Sequence, residues 1–248
     1  MVSLAAVIIL VIVPLPPPDS AVAERLLPPS GDHPFGTDQF GRSVLVRTLW
    51  AARAGITAAA VTTVAAGLLG MLIGTLSALA NRWADQLAAR LTDALLAVPG
   101  LLVALVVVAL LPESAVQVVL AVSLGLFPLM IRYTRAVVLP LRSADYVTVA
   151  RAGGAGWLRI LIVHILPNAG PLLLSYLATI FAWALVNITA LEFLGVVGSP
   201  ADALWGRLLR DGRLYLVEAP WVALAPTLAL ILVVSVAAFL SESKNARP

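Results

Sequence analysis

Residues 54–80 read AGITAAAVTTVAAGLLGMLIGTLSALA, a stretch without a single charged side chain. A bilayer core about 30 Å thick is crossed by about 20 residues of α-helix, in which every backbone amide finds its partner within the segment. Residues 54–80 are therefore expected to span a membrane. Four more runs, 94–111, 115–131, 172–191 and 221–240, are within reach of that length and are separated by short polar turns. Over the 248 residues 61% are hydrophobic and 12% charged, against about a quarter charged in soluble domains, which assigns the chain to the integral membrane proteins.

At the front, residues 2–13 are apolar but short of a crossing, and Pro14, Pro16, Pro17 and Pro18 end any helix there by removing amide donors. They imply a sixth span with a truncated or misassigned start. A secretory signal peptide fits less well, because no basic segment precedes the run and no small-residue cleavage site directly follows it. Six spans with both termini inside can be tested by charge, since Arg and Lys are retained on the cytoplasmic side. That side would hold nine basic residues (Arg82, Arg90, Arg132, Arg135, Arg142, Arg151, Arg159, Lys244 and Arg247) against four acids, a net +5. The other side would hold seven Arg against nine acids, a net −2, and the two recover the overall +3.

No linker or low-complexity tract divides the chain, so residues 1–248 are read as one transmembrane domain. Segments 14–46 and 195–220, rich in Gly, Pro and charge, are expected as extracytoplasmic loops, and 132–159 as the cytoplasmic one. Within the last, residues 144–152 read as a short helix, with Ser143 placed to cap its start and Gly153 and Gly154 suited to its end. A polar helix held between two spans is a docking candidate; an ordinary solvated connector is the alternative. In the first long span, Ala66, Gly70 and Gly74 recur every four residues, a small-residue seam for close packing on another helix of this chain or on a partner. Ionisable or amide groups within spans are few. Asn187 and Glu192 are candidates for the translocation pathway; Glu192 could equally hold the outer loop. Asp93, near Pro99 and Gly100, is a weaker candidate beside an interfacial role or pairing with Arg90.

Three separated stretches carry a family resemblance. Asp145-Tyr146-Val147-Thr148-Val149-Ala150-Arg151-Ala152-Gly153-Gly154, followed by His164-Ile165-Leu166-Pro167-Asn168, resembles the EAA loop of ABC importer permeases in its peptide-permease form. His33-Pro34-Phe35-Gly36-Thr37-Asp38-Gln39-Phe40-Gly41-Arg42 resembles the signature ahead of the second span in the peptide and nickel permeases, and Phe193-Leu194-Gly195 with Trp205-Gly206 and Ala219-Pro220-Trp221 a third. The resemblance implies an all-α permease fold of the type I importers in the bacterial cytoplasmic membrane. It also implies a similar second permease, two cytoplasmic ATPases that hold ATP and Mg, and an extracytoplasmic substrate-binding protein. Asp145, Tyr146, Val147, Thr148, Val149, Ala150, Arg151, Gly153 and Gly154 would couple to an ATPase, with Val147, Val149 and Ala150 as the apolar contact face and Pro167 breaking the next helix near the membrane boundary. Short peptides are the implied cargo, with nickel or a metal chelate as the alternative. Thr148 stands where the family has Glu, so a salt link to the ATPase is absent, and Ser43 replaces an Asp.

Other classes lack their chemistry. The only lysine is Lys244, so a P-loop is impossible and this chain is not the ATPase. With two histidines and no cysteine, a metal centre is poorly supplied, and no cofactor is expected on this chain. Scattered Arg residues without interleaved aromatics argue against nucleic acid. A secondary transporter would need repeats and membrane-centre acids that are not found. An intramembrane hydrolase would need a pair such as His164 and Ser175, but His164 belongs to the EAA-like stretch.

Overall fold

In a computed structural model the described residues are 14–21, 23–199 and 201–245, with side chains described as far as Ser241. The expected span at 2–13 lies outside them, as do the side chains of Lys244 and Arg247. Nine α-helices occur among the described residues: α1 Val44–Leu79, α2 Arg82–Leu96, α3 Gly100–Leu110, α4 Ala115–Arg142, α5 Asp145–Ala152, α6 Trp157–Ile160, α7 Leu166–Leu194, α8 Trp205–Gly212 and α9 Trp221–Asn245. Extended pairing there is limited to two isolated bridges in the segment before α1. Four helical stretches are long and apolar enough to cross a membrane, namely Val44–Leu79, Ala115–Arg142, Trp157–Leu194 and Trp221–Ser241. The α2–α3 pair adds a fifth candidate, bent by 79°.

Several elements differ from the sequence expectation. The run at 94–111 is not one straight helix, because Pro99 has no amide to continue the ladder and the chain breaks at 97–99. The span at 115–131 runs on to Arg142, so residues 132–142 are helix and not loop. Its arginines are tolerated there because they find partners: Arg135 pairs with Asp85 at 2.7 Å, and Arg142 Nη1 donates to the carbonyls of Ala78 and Ala80 at 2.8 and 2.7 Å. Those two bonds also satisfy carbonyls at and just past the end of α1. Pro167 does not break its helix. A π turn at Leu161–Ile165 bridges α6 to α7, its extra residue changing the hydrogen-bond register ahead of the proline.

The described residues pack as two compact units, one formed by those up to Val61 with Leu105–Val119 and Leu185–Val236, the other by Thr62–Ala104, Leu120–Ala184 and those from Ala237 to Asn245. In the second unit the seam of α1 lies on α4. A methyl group at Gly70 would strike Met130 and the Phe127 carbonyl, and one at Gly74 would come within 2.7 Å of Thr134 Cβ and 2.9 Å of the Ile131 carbonyl. Both positions advance together, so α1 and α4 run parallel and residues 80–114 return the chain between them. Gly100 meets Gly125 backbone to backbone at the start of α3.

Replacing Gly70 by Leu is expected to cost 3 kcal/mol or more, the upper end of overpacking penalties of about 1–3 kcal/mol, because backbone as well as side chain must move. A fall in the thermal midpoint of the detergent-solubilised protein checks this, and Leu68→Ala on the exposed face of α1 is the control expected to leave it unchanged.

Candidate functional site

Two regions carry the residues singled out from sequence. The first is α5. Its N-cap is Ala144, in extended conformation and without a side-chain capping bond. Ser143 does not cap α5; it sits one residue too early, and its hydroxyl donates to the Pro140 carbonyl at 3.0 Å in the last turn of α4. At the other end Gly153 is the C-cap and Gly154 takes φ +83°, a conformation open to glycine, so the chain reverses toward α6. Asp145 lies in the first turn and Arg151 in the last, each where it complements the helix dipole.

The expected contact face needs correction. Val147 is 1% exposed and packs into its own chain, whereas Val149 is 71% exposed. Residues two apart on a helix point about 200° away from each other, so these two do not share a surface. The outward surface of α5 is Asp145, Tyr146, Thr148, Val149, Arg151 and Ala152, with Ala150 at its edge. Tyr146 faces His164 in a tilted ring contact at 6.1 Å, which ties α5 to the helix that follows it. Trp157 and Leu158, just beyond Gly154, are also exposed, so apolar surface continues past the helix.

The second region belongs to the other unit and is built on α7, α8 and the segment before α1. Glu192 is 4% exposed, and its Oε2 accepts the Gly206 amide at 2.9 Å. It therefore takes up the amide next to the first residue of α8 and holds the 195–220 segment to α7. Gly206 is compact by necessity, since a methyl there would strike the Thr189 carbonyl and the Phe193 amide. Trp205 is buried and covers Gly55 of α1. Asn187 is half-buried and, five residues from Glu192, is turned about 140° away from it, so the two do not form one site. Asp93, in the second unit, is exposed on α2 and makes no ion pair with Arg90.

Sequence reasoning missed an ion cluster in the segment before α1. Asp38 is buried; its carboxylate accepts the amides of Phe40 and Arg42 at 2.8 and 2.9 Å and the Arg42 Nε at 2.7 Å. Arg47, only 1% exposed, reaches Asp19 at 2.8 Å and lies 3.7 Å from Asp38. Thr37 donates to the Glu24 carbonyl and accepts from the Leu27 amide, while Trp221 at the start of α9 donates to the Thr37 carbonyl at 3.3 Å. The Gly-Thr-Asp stretch is thus a folded knot that secures the entry to α1. The signal available in the sequence was Asp38 four residues before Arg42, with Arg47 five residues further on.

Four helical stretches long and apolar enough to cross a membrane, with a short polar helix exposed between two of them, define a multi-pass membrane protein. Residues 66–243 match the model of the binding-protein-dependent transport system inner membrane component family, and the chain belongs to that family. It is a permease subunit of an ABC transporter in the inner membrane, a transport component and not itself an enzyme. The chain is 38% identical over 214 residues to a putative peptide transport system permease protein of Brucella suis, covering 86% of this chain and 72% of that one. It is 34% identical to the dipeptide transport system permease protein DppC of Alkalihalophilus pseudofirmus, over 86% of this chain and 70% of the relative. It is 32% identical to a glutathione transport system permease protein of Pectobacterium atrosepticum, over 83% and 68%.

Asp38→Ala should destabilise the folded protein by about 1–3 kcal/mol, because the Phe40 and Arg42 amides lose their acceptor and Arg42 and Arg47 are left with Asp19 alone. Thermal unfolding in detergent measures this, and Asp32→Ala, at an exposed position, is expected to stay within about 0.5 kcal/mol of the parent.

Proposed function

We propose that this permease works in an ATP-driven importer of di- and oligopeptides, moving cargo inward by alternating access. The alignment with peptide and dipeptide permeases over 86% of the chain is the observation that carries the cargo reading. The partners on this reading are a similar second permease, two ATPase subunits that hold ATP and Mg, and an extracytoplasmic binding protein. The termini and α5 lie on the cytoplasmic side, in keeping with the excess of basic residues assigned there. The loops 14–46 and 195–220 lie outside.

α5 is the coupling helix. Its exposed Val149 and Tyr146, flanked by Asp145 and Arg151, supply an apolar centre with charges of both signs at its rim. ATP binding closes the ATPase pair, α5 is carried with the groove that holds it, and the spans tilt as rigid bodies. With Thr148 in place of an acid, the seat relies on packing at Val149 more than on a salt link. Of the pathway candidates, Glu192 is engaged with Gly206 and fits the role of holding the outer loop; Asn187 and Asp93 remain the residues proposed to meet cargo.

Val149→Asp places a charge in the centre of the proposed seat while touching nothing inside the chain. It is expected to leave the yield of this permease unchanged and to lower copurification of the ATPases and peptide-stimulated ATP hydrolysis at least tenfold, since a charge in a desolvated contact is uncompensated. Normal copurification and hydrolysis by the variant would remove α5 from the coupling role.

A further inference from the structure

We infer that one buried water is bound between Arg47, Asp38 and Asp211 and joins the segment before α1 to α8, a site for solvent and not for cargo or an ion. All of its residues belong to the first unit, and the site stands independently of the cargo reading.

A cavity of about 10 Å³ lies beside the ion cluster, and Asp38, Arg42, Val44, Arg47, Asp211 and Val222 are among the residues that line it. A space of about 10–15 Å³ is what a single water needs. Arg47 is 1% exposed, and its Nε has no hydrogen-bond partner among the described residues. Asp38 Oδ2 lies 3.7 Å from that Nε, past hydrogen-bond length. Both groups are held where they are. The Asp38 carboxylate is fixed by the amides of Phe40 and Arg42 and by Arg42 Nε, while Arg47 is fixed by the first turn of α1 and by its Nη1 bond to Asp19 at 2.8 Å. A buried donor without an acceptor is costly and rare in native proteins, and a polar contact just too long to be direct is the setting in which a water mediates.

Charge selects the occupant. Arg42 and Arg47 bring two cations to the wall, and Asp38 and Asp211 bring two carboxylates. A halide drawn to Arg47 would meet both acids, and a metal cation drawn to the acids would meet both guanidinium groups. Water accepts from Nε and donates to a carboxylate, so it suits both signs. Asp211 pairs with Arg210 of its own helix at 3.6 Å, and a carboxylate has further lone pairs to offer. The apolar part of the wall, Val44 and Val222, forms a buried cluster with Ala219, and Trp221 beside it donates to the Thr37 carbonyl. The start of α9 is thus seated directly on the segment before α1, and the water adds α8 to the same joint through Asp211.

The sign of a cavity-filling substitution tests the site, because an added methyl stabilises a dry cavity but displaces the water from a wet one. Val222→Ile and Val44→Ile each add a methyl at the wall. In the full chain in detergent each is expected to lower the thermal midpoint by about 3 °C or more, since Arg47 Nε is stranded. Arg47→Lys supplies the second background: it puts a methylene where Nε stands and keeps the charge. There the same added methyls should leave the midpoint unchanged or raise it. A rise in the parent would mean a dry cavity and an equal fall in both backgrounds would mean overpacking; either result overturns the inference. Replacing chloride by gluconate at constant ionic strength should leave the parent's midpoint in place, and a fall would make the occupant a halide and overturn the assignment to water. Should Arg47→Lys fail to fold, a high-resolution map of the parent decides. Ordered density within about 3.2 Å of Nε supports the site, and Nε closed onto Asp38 overturns it.

Discussion

Everything else in the second unit depends on α1 and α4 lying backbone against backbone. In a bilayer the apolar effect does not drive helices together, because lipid tails are as apolar as the side chains they would replace. Contact area must come from close approach, and Gly70 and Gly74 supply it by leaving room for Met130 and Thr134. Parallel packing of two helices adjacent in this way then requires a return crossing by residues 80–114. That crossing is bent at Pro99, and Gly100 on Gly125 repeats the same device at its upper half. Small residues thus fix the topology, and the large leucines of α1 at 68, 69, 72 and 76 are exposed among the described residues.

The first unit solves a different problem. Its polar residues, placed outside the spans from sequence, are in part deeply buried, and each is held by at least one bond: Asp38 by backbone amides and Arg42, Arg47 by Asp19, Glu192 by the Gly206 amide, and Arg207 by the Gly198 carbonyl, while the Nε atoms of Arg47 and Arg207 have no hydrogen-bond partner among the described residues. Segments rich in Gly and Pro are bound into a defined shape by a few charge-assisted bonds, which are stronger than neutral ones. The glycines serve close contact here as in the spans, most plainly at Gly206 on α7.

Long apolar runs were legible because hydrophobicity over 20 residues leaves no other structure, and residues 172–191, 221–240 and all but the last of 54–80 lie inside helices of the folded chain. Helix ends were less legible. Arg132, Arg135 and Arg142 looked like the close of a span, yet helix continues through them since Asp85 and the last carbonyls of α1 wait at the right height. Those partners are 50 to 64 residues away in sequence and leave no local trace. The amphipathic character of α2 was hidden for a related reason: the apolar run at 94–111 drew the boundary through its last turn, and only the break at Pro99 separates the two helices. On α5 the positions were legible, but which of them turn outward was not; the burial of Val147 depends on what lies beneath it.

The bond from Arg142 to the carbonyls of Ala78 and Ala80 has a mechanical meaning. Arg142 is the last residue of α4, two residues from the N-cap of α5, and the two carbonyls belong to the end of α1 and the residue that follows. One guanidinium therefore rivets two helix ends together at the point where the chain leaves them for α5. A push on α5 along the membrane cannot bend α4 away from α1 without first breaking both bonds, so the load passes to the pair as a single lever arm about 27 Å long, the stretch they share from Thr62 and Ser123 to the rivet.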